Sequence, residues 1–155
     1  MDYNDQNQQK ARVLVSAEEQ AQIVRTLRAW LNSSPPVQAL SLVLDYEYLP
    51  ETRGLTMTTS QGAYKTAQFI LGGYRAQYSF RIVYRAIAED ADERIAMDEA
   101  LNAIGAWAET NDPPDFGEAI RVRSIRRADT SGIFARYDDG VEDHQISIIF
   151  DYEVI

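Results

Sequence analysis

The chain predicts an α+β fold: a mostly antiparallel β-sheet with a long β-hairpin and two helices packed on one face. Three observations carry that expectation. Runs of alternating apolar and polar residues fill the middle and the C-terminal third, the period-two pattern of strands with one dry and one wet face. Two other segments repeat their apolar residues at helical spacing, each behind a Ser- or Asp-x-x-Glu start. The resulting order is helix, two strands, hairpin, helix, three strands, without internal repeat, low-complexity tract or linker. The 155 residues therefore read as a single domain, with a polar and flexible stretch over residues 1–10.

Taken in order, Ala11–Val15 is a short apolar run, either a strand or a lead-in. Ser16-Ala-Glu-Glu19 has the form of a capping box, and Ile23, Val24, Leu27, Trp30 and Leu31 form a helical stripe behind it. That helix should end near Asn32, because Ser33-Ser34-Pro35-Pro36 cannot continue it. From Val37 to Tyr48 the alternation predicts a strand with Leu40, Leu42, Leu44, Tyr46 and Tyr48 on one face, closed by Pro50. Glu51–Gly54 reads as a turn, Leu55–Thr59 as a short Thr-rich strand or extended loop, and Ser60-Gln61-Gly62 as a lead into the hairpin.

The hairpin is predicted over residues 63–88. Ala63–Leu71 is rich in strand formers, and Gly72-Gly73 supplies the positive φ angles of a tight turn. Its second arm turns Ala76, Tyr78, Phe80, Ile82, Tyr84 and Ala86 to one side. A second helix starts near Asp90 with Glu93 reaching back. It carries Met97, Leu101, Ile104 and Ala108 inward with Trp107 beside them, and ends at Asn111–Asp115 around two prolines. Ile120, Val122 and Ser124 then face one way, and Arg121, Arg123 and Ile125 the other. Asp129–Gly132 turns into a short strand at Ile133–Tyr137, and Asp138-Asp139-Gly140 is a hairpin turn. The last strand sets Ile146, Ile148, Phe150, Tyr152 and Val154 against Ser147, Ile149, Asp151 and Glu153.

Chemistry is thin. A net charge of -9 argues against broad neutralisation of duplex DNA. Without cysteine there is no disulfide and no thiolate metal site, which suits a reducing cytoplasm. No apolar run is long enough to span a membrane and the polar start lacks a secretory pattern, so a soluble chain made in the cytoplasm is expected. The lone histidine, His144, is expected at a surface or strand end. Asp138, Asp139, Glu142 and Asp143 do not match an EF-hand loop and are expected as a hairpin turn. Gly72-Gly73 lacks the Lys-Ser/Thr of a phosphate loop, Asp112 and Asp115 read as loop solvation, and no nucleophile elbow is present. The chain is not expected to be an enzyme, and no catalytic, cofactor or metal residue is assigned.

Charge placement is more informative. Lys65, Arg75, Arg81 and Arg85 lie on the hairpin with no acid between Ala63 and Ala88, and Arg121, Arg123, Arg126 and Arg127 follow the second helix. Acids gather at Asp45–Glu51, Glu89–Glu99, Glu109–Glu118 and Asp138–Asp143. This pattern fits solvated strand faces, or a self-complementary surface whose acidic patches meet basic patches of the next copy. Tyrosine and arginine are favoured at interfaces, and Phe69, Ile70, Leu71 and Tyr74 crowd apolar groups around a turn that is expected to be covered, either by the same chain or by a neighbour. The candidate interface is thus Lys65, Phe69, Tyr74, Arg75, Arg81, Arg85, Arg121 and Arg123.

The run AYKTAQFILGGYRAQYSFRIVYR, an acidic helix start, NAIGAWAE, a DPPD loop and SGIFARYDDGVEDHQISIIFDYEV together resemble the tail terminator proteins of long-tailed bacteriophages, often labelled minor capsid proteins. The resemblance spans Val37 to Val154 and rests on sequence texture and element order, since that family has no compact catalytic signature. It implies a structural virion protein without cofactor: a sixfold ring at the head-proximal end of the tail tube that stops polymerisation of the major tail tube protein. The ring would dock to the head-completion or connector protein, pass DNA only through its lumen and touch no membrane. Excess negative charge would suit such a lumen. A head-completion or connector-docking protein of the same virion is the alternative, and a small cellular α+β domain using its aromatic sheet face as a ligand pocket a third.

Overall fold

A computed structural model describes residues 15–155, so the predicted flexible start and all of the Ala11–Val15 run except Val15 lie outside the described residues. Helix α1 (Ala17–Asn32) is capped by Ser16, whose Oγ accepts the Glu19 N–H at 3.2 Å. Its buried stripe is Ile23, Val24, Leu27 and Leu31. Glu19 does not complete the predicted capping box. Its carboxylate instead accepts the hydroxyls of Tyr74 and Tyr152, which ties the first turn of the helix to the sheet.

The predicted strand over Val37–Tyr48 is mostly not a strand. Ser34 caps a short helical turn, α2 (Pro35–Gln38), in which the two prolines occupy the positions where a missing N–H costs nothing. Only β1 (Leu44–Tyr46) is extended. It is held by α1: the Leu44 N–H donates to Asn32 Oδ1 at 2.8 Å, and the Leu44 carbonyl accepts from Arg28 Nε at 2.8 Å and Asn32 Nδ2 at 3.1 Å. Alternating leucines read as a strand because a proline pair looks like a stop. Behind a serine it is equally a helix start.

The remaining elements are β2 (Gly54–Gln68), β3 (Tyr74–Ile87), α3 (Ala91–Thr110), β4 (Ile120–Arg127), β5 (Gly132–Arg136) and β6 (Val141–Val154). The predicted break between Leu55–Thr59 and the hairpin does not exist. β2 is one 15-residue strand that absorbs Ser60-Gln61-Gly62 as register shifts against β3. Asp90 caps α3 by accepting the Glu93 N–H at 2.9 Å, while Glu93 accepts the Glu89 N–H at 2.6 Å. Met97, Leu101, Ile104 and Ala108 are buried as expected.

The fold is α+β. The sheet order is β1-β2-β3-β6-β4, with β5 also paired to β6; β1–β2 is parallel and every other pairing antiparallel. β6 is the spine. One edge pairs with β3 without a shift from Tyr74↔Val154 to Ile87↔Val141, and its other edge is shared by β4 and β5. A shift between Val122 and Ser124 turns Ile125 into the core, opposite to its predicted side.

Helices α1 and α3 cover one face, joined by Trp30 against Trp107 at 4.6 Å between ring centroids. The core lies between them and the inward residues of β3 and β6. Phe150 is central, stacked on Phe116 at 4.7 Å and Tyr152 at 4.9 Å. Helix α3 approaches so closely at Gly105 that a Cβ there would lie 2.5 Å from Arg127 Cδ and 3.0 Å from Ile146 Cδ1. Among the described residues, no helix is long and apolar enough to cross a membrane.

Candidate interaction surface

Among the described residues the other face of the sheet carries no helix, and the candidate arginines stand on it. Antiparallel pairing sets Arg75 opposite Glu153 and Arg85 opposite Asp143. Arg75 Nε lies 3.2 Å from Glu153 Oε1, Arg123 Nη1 2.7 Å from the same oxygen, and Arg121 Nη1 3.6 Å from Oε2. The hydrogen bond from Arg123, joined by that from Arg75, holds the Glu153 carboxyl below the usual carboxylate range. Asp151 next along β6 accepts from Gln77 at 3.0 Å, from Ser124 at 3.1 Å and from Arg126.

Arg85 forms a fork on Asp143, with Nε–Oδ1 2.7 Å and Nη2–Oδ2 2.8 Å, and its guanidinium lies over the Tyr137 ring at 5.2 Å. The Tyr137 hydroxyl donates to Asp143 Oδ2 at 2.8 Å, and Arg85 Nη1 donates to the Pro50 carbonyl at 3.0 Å. The Asp143 hydrogen bond raises the Arg85 pKa against the opposing effect of burial. Arg81 donates from Nη1 to Gln145 Oε1 at 3.1 Å, while its buried Nε has no hydrogen-bond partner among the described residues. The positive charges of Arg75, Arg85, Arg121 and Arg123 are thus met by carboxylates of their own sheet. Counting charge along single strands hid this, because the acids stand on β6, far away in sequence and adjacent in space.

The remaining candidates surround the hairpin tip. The turn is a five-residue loop, Phe69–Gly73, closed by Phe69 N–H to Gly73 O at 3.1 Å and Gly72 N–H to Phe69 O at 3.3 Å. Gly72 and Gly73 have φ of 94° and 82°, and a Cβ on Gly73 would lie 2.4 Å from the Val154 carbonyl oxygen. Tyr74 is anchored by Glu19, and burial together with that carboxylate raises its phenol pKa. Lys65 Nζ lies over the Tyr74 ring at 4.4 Å, and the Arg75 guanidinium over Phe69 at 5.8 Å. Ile70 and Leu71, outside the candidate set, are 101% and 100% exposed. The apolar tip, Ile70 and Leu71 included, was visible in the sequence, but only Phe69 and Tyr74 of it were assigned to the candidate interface.

His144 is a correction. It is 1% exposed on the helix-covered side of β6, with Nδ1 2.8 Å from Asp98 Oδ1 and Nε2 3.1 Å from Glu142 Oε1. The acidic turn is also divided. Asp138-Asp139-Gly140 does turn the chain, but Glu142 and Asp143 are buried strand residues on opposite faces. Glu142 Oε2 receives Arg94 Nε at 2.7 Å and Arg136 Nε at 3.2 Å. Burial pushes its carboxyl up, but the hydrogen bonds from Arg94 and His144 and the charges of Arg94 and Arg136 outweigh it, so the net shift is downward. Ser131 Oγ donates to Asp98 at 2.7 Å rather than reaching the imidazole. The cluster binds α3, β5 and β6 to one another. Continuing the alternation of Ile146 and Ile148 back to His144 and Glu142 would have placed both inward. Among the described residues, no group of three or more His, Cys, Asp or Glu side chains is arranged to hold a metal ion.

No family model matches the chain, and no curated protein matches it.

Proposed function

We propose that the chain is a structural assembly protein working as a ring of identical copies, and that its place is the head-proximal end of a phage tail tube. The observation that carries this reading is the hairpin. Two arms of 15 and 14 residues, one of them paired along its whole length to β6, hold a tip whose Ile70 and Leu71 have no cover among the described residues. Such groups on a rigid support favour a contact with another molecule over packing within the chain. The terminator resemblance supplies the setting: a ring, probed by tail tube protein on one side and head-completion protein on the other, with DNA passing through. The negative net charge supports a lumen through which DNA slides without sticking.

The test is electron microscopy of particles made by a phage lacking this gene. Overlong tails, detached from DNA-filled heads, are the expected result. Tails of normal length beside empty or leaking heads would move the protein to head completion, and ordinary infectious particles would remove it from assembly altogether.

A further inference from the structure

The geometry points to a binding site on the open face of the sheet for a small neutral heterocycle, one that carries an N–H beside a carbonyl as uracil- and guanine-type bases do. It does not depend on the assembly reading above. A pocket of about 310 Å³ lies across β2, β3 and β6. That is near the lower end of the roughly 300–1,000 Å³ typical of ligand sites, so the occupant is limited to one or two rings. Buried Val83 and Thr56 form its floor. On one side stands Tyr48, whose N–H donates to Thr56 Oγ1 at 3.2 Å, and on the other Phe134 of β5 with Tyr137. Tyr48 and Phe134 are 62% and 49% exposed, so their rings are available to a flat molecule lying between them.

Two polar groups in the lining are left in a state that such a molecule would complete. Glu47 has a φ of 54°, which a residue with a side chain rarely adopts. Its N–H donates to the Met57 carbonyl at 3.0 Å, and its carboxylate accepts the Thr58 hydroxyl at 2.9 Å and the Thr59 N–H at 2.6 Å. Those two bonds occupy about half of the carboxylate's lone-pair sites. Arg81 is the partner of Thr58 across the β2–β3 pairing. Its Nη1 donates to Gln145, but its buried Nε has no acceptor among the described residues. A donor already stripped of water carries a cost that an added acceptor would recover. Glu47 and Arg81 thus flank one cross-strand position while bonding to other groups rather than to each other. A molecule between them would accept from the guanidinium and donate to the carboxylate.

Charge does not select an ion here. The lining sets Arg81 and Arg85 against Glu47 and Asp143, and Arg85 is already bound to Asp143. A carboxylate ligand could accept from Arg81 but has no donor for Glu47, and an ammonium has no acceptor for Arg81. An N–H beside a carbonyl on a neutral ring serves both groups at once and requires no charge to be desolvated.

A free nucleoside and an unpaired base on a strand share this chemistry, and titrations followed by amide NMR separate them. The probes are uridine, 3-methyluridine (the same ring without the N–H), benzoate and a short single-stranded thymidine oligonucleotide. Uridine at millimolar concentration is expected to shift the amide signals of Thr58, Arg81, Val83 and Phe134, and 3-methyluridine to bind about tenfold more weakly. Arg81→Met and Phe134→Ala should each weaken uridine binding about tenfold with an unchanged melting curve. Phe134 is half exposed, so its variant folds whatever becomes of Arg81→Met. An oligonucleotide that binds more tightly than uridine would assign the site to a base carried on a strand, and weaker binding would assign it to a free nucleoside. Equal binding of uridine and 3-methyluridine would overturn the proposal. So would benzoate binding more tightly than uridine, or uridine shifting none of these signals.

Discussion

The two faces of β3 and β6 are built from the same residues in alternation, yet they do different work. Under the helices stand Tyr78, Phe80, Phe150 and Tyr152, each at most 1% exposed and joined by ring contacts. One residue away along each strand stands the ladder Arg75–Glu153, Gln77–Asp151 and Arg85–Asp143. Apolar burial on the first face supplies most of the folding free energy, because partly exposed ion pairs contribute little individually. The second face contributes register. A two-residue slip of β3 on β6 keeps every side chain on its own face, so the hydrophobic pattern does not forbid it. Such a slip separates Arg85 from Asp143 in either direction, and only the observed pairing satisfies Arg75 and Arg85 together.

Neighbouring residues on β6 give the sharpest test. Phe150→Ala removes a stacked, fully buried ring and should destabilise the protein by about 3–5 kcal/mol in urea unfolding. Ile149→Ala, one residue away on the open and only half-covered face, should cost less than half as much. Equal losses would break the contrast between the faces.

How much of this was legible follows the same division. The inward set of β3, from Ala76 to Ala86, and that of β6, from Ile146 to Val154, followed directly from alternation, because a sheet covered on one side imposes it. The stripe of α3 was equally clear. What failed was whatever depended on a partner distant in sequence. Asn32 and Arg28 fix the start of β1 at Leu44, and Glu47 at φ 54° ends it after three residues, neither of which the alternation within Val37–Tyr48 signals. The arginines looked free because Glu153 and Asp143 come some sixty to eighty residues after Arg75 and Arg85. The inward side of His144 could have been read by continuing the alternation of Ile146 and Ile148; what the sequence hid is its partner Asp98, on a helix whose approach to the sheet is allowed by Gly105.

The Glu142 cluster blurs the contrast, since it is ionic on the covered face. Glu142→Gln should cost about 2 kcal/mol at neutral pH, because Arg94, Arg136 and His144 lose a charged acceptor in a buried site. The folded carboxyl has a pKa below the unfolded value of about 4.3, so its stabilisation is fully present above that value. It disappears as pH falls through the lower folded value. The gap between wild type and variant, followed by thermal melting against pH, should be constant at neutral pH and close in acid. A gap that persisted down to about pH 2 would show that the substitution acts through packing rather than charge.

Glu153→Gln should have the smallest effect, and salt separates it from the cluster on the covered face. Glu153 serves three arginines whose side chains are 41–66% exposed, so solvent and ions already screen the attraction. Its carboxyl is also held low, and its contribution likewise disappears as pH falls through the lowered value, so pH alone would not distinguish it from Glu142. Ionic strength would. In about 0.5 M salt the Debye length is below about 8 Å, and the melting difference between wild type and Glu153→Gln should shrink towards zero. The difference for Glu142→Gln should shrink less, because the Glu142 carboxylate is 1% exposed on the face covered by α3, beside its sheet neighbour β5. If both differences vanished together, Glu142 would be as accessible to solvent as Glu153. If neither changed, the open face would be screened from solvent as well, as it would be in a protein that already associates through that face in solution.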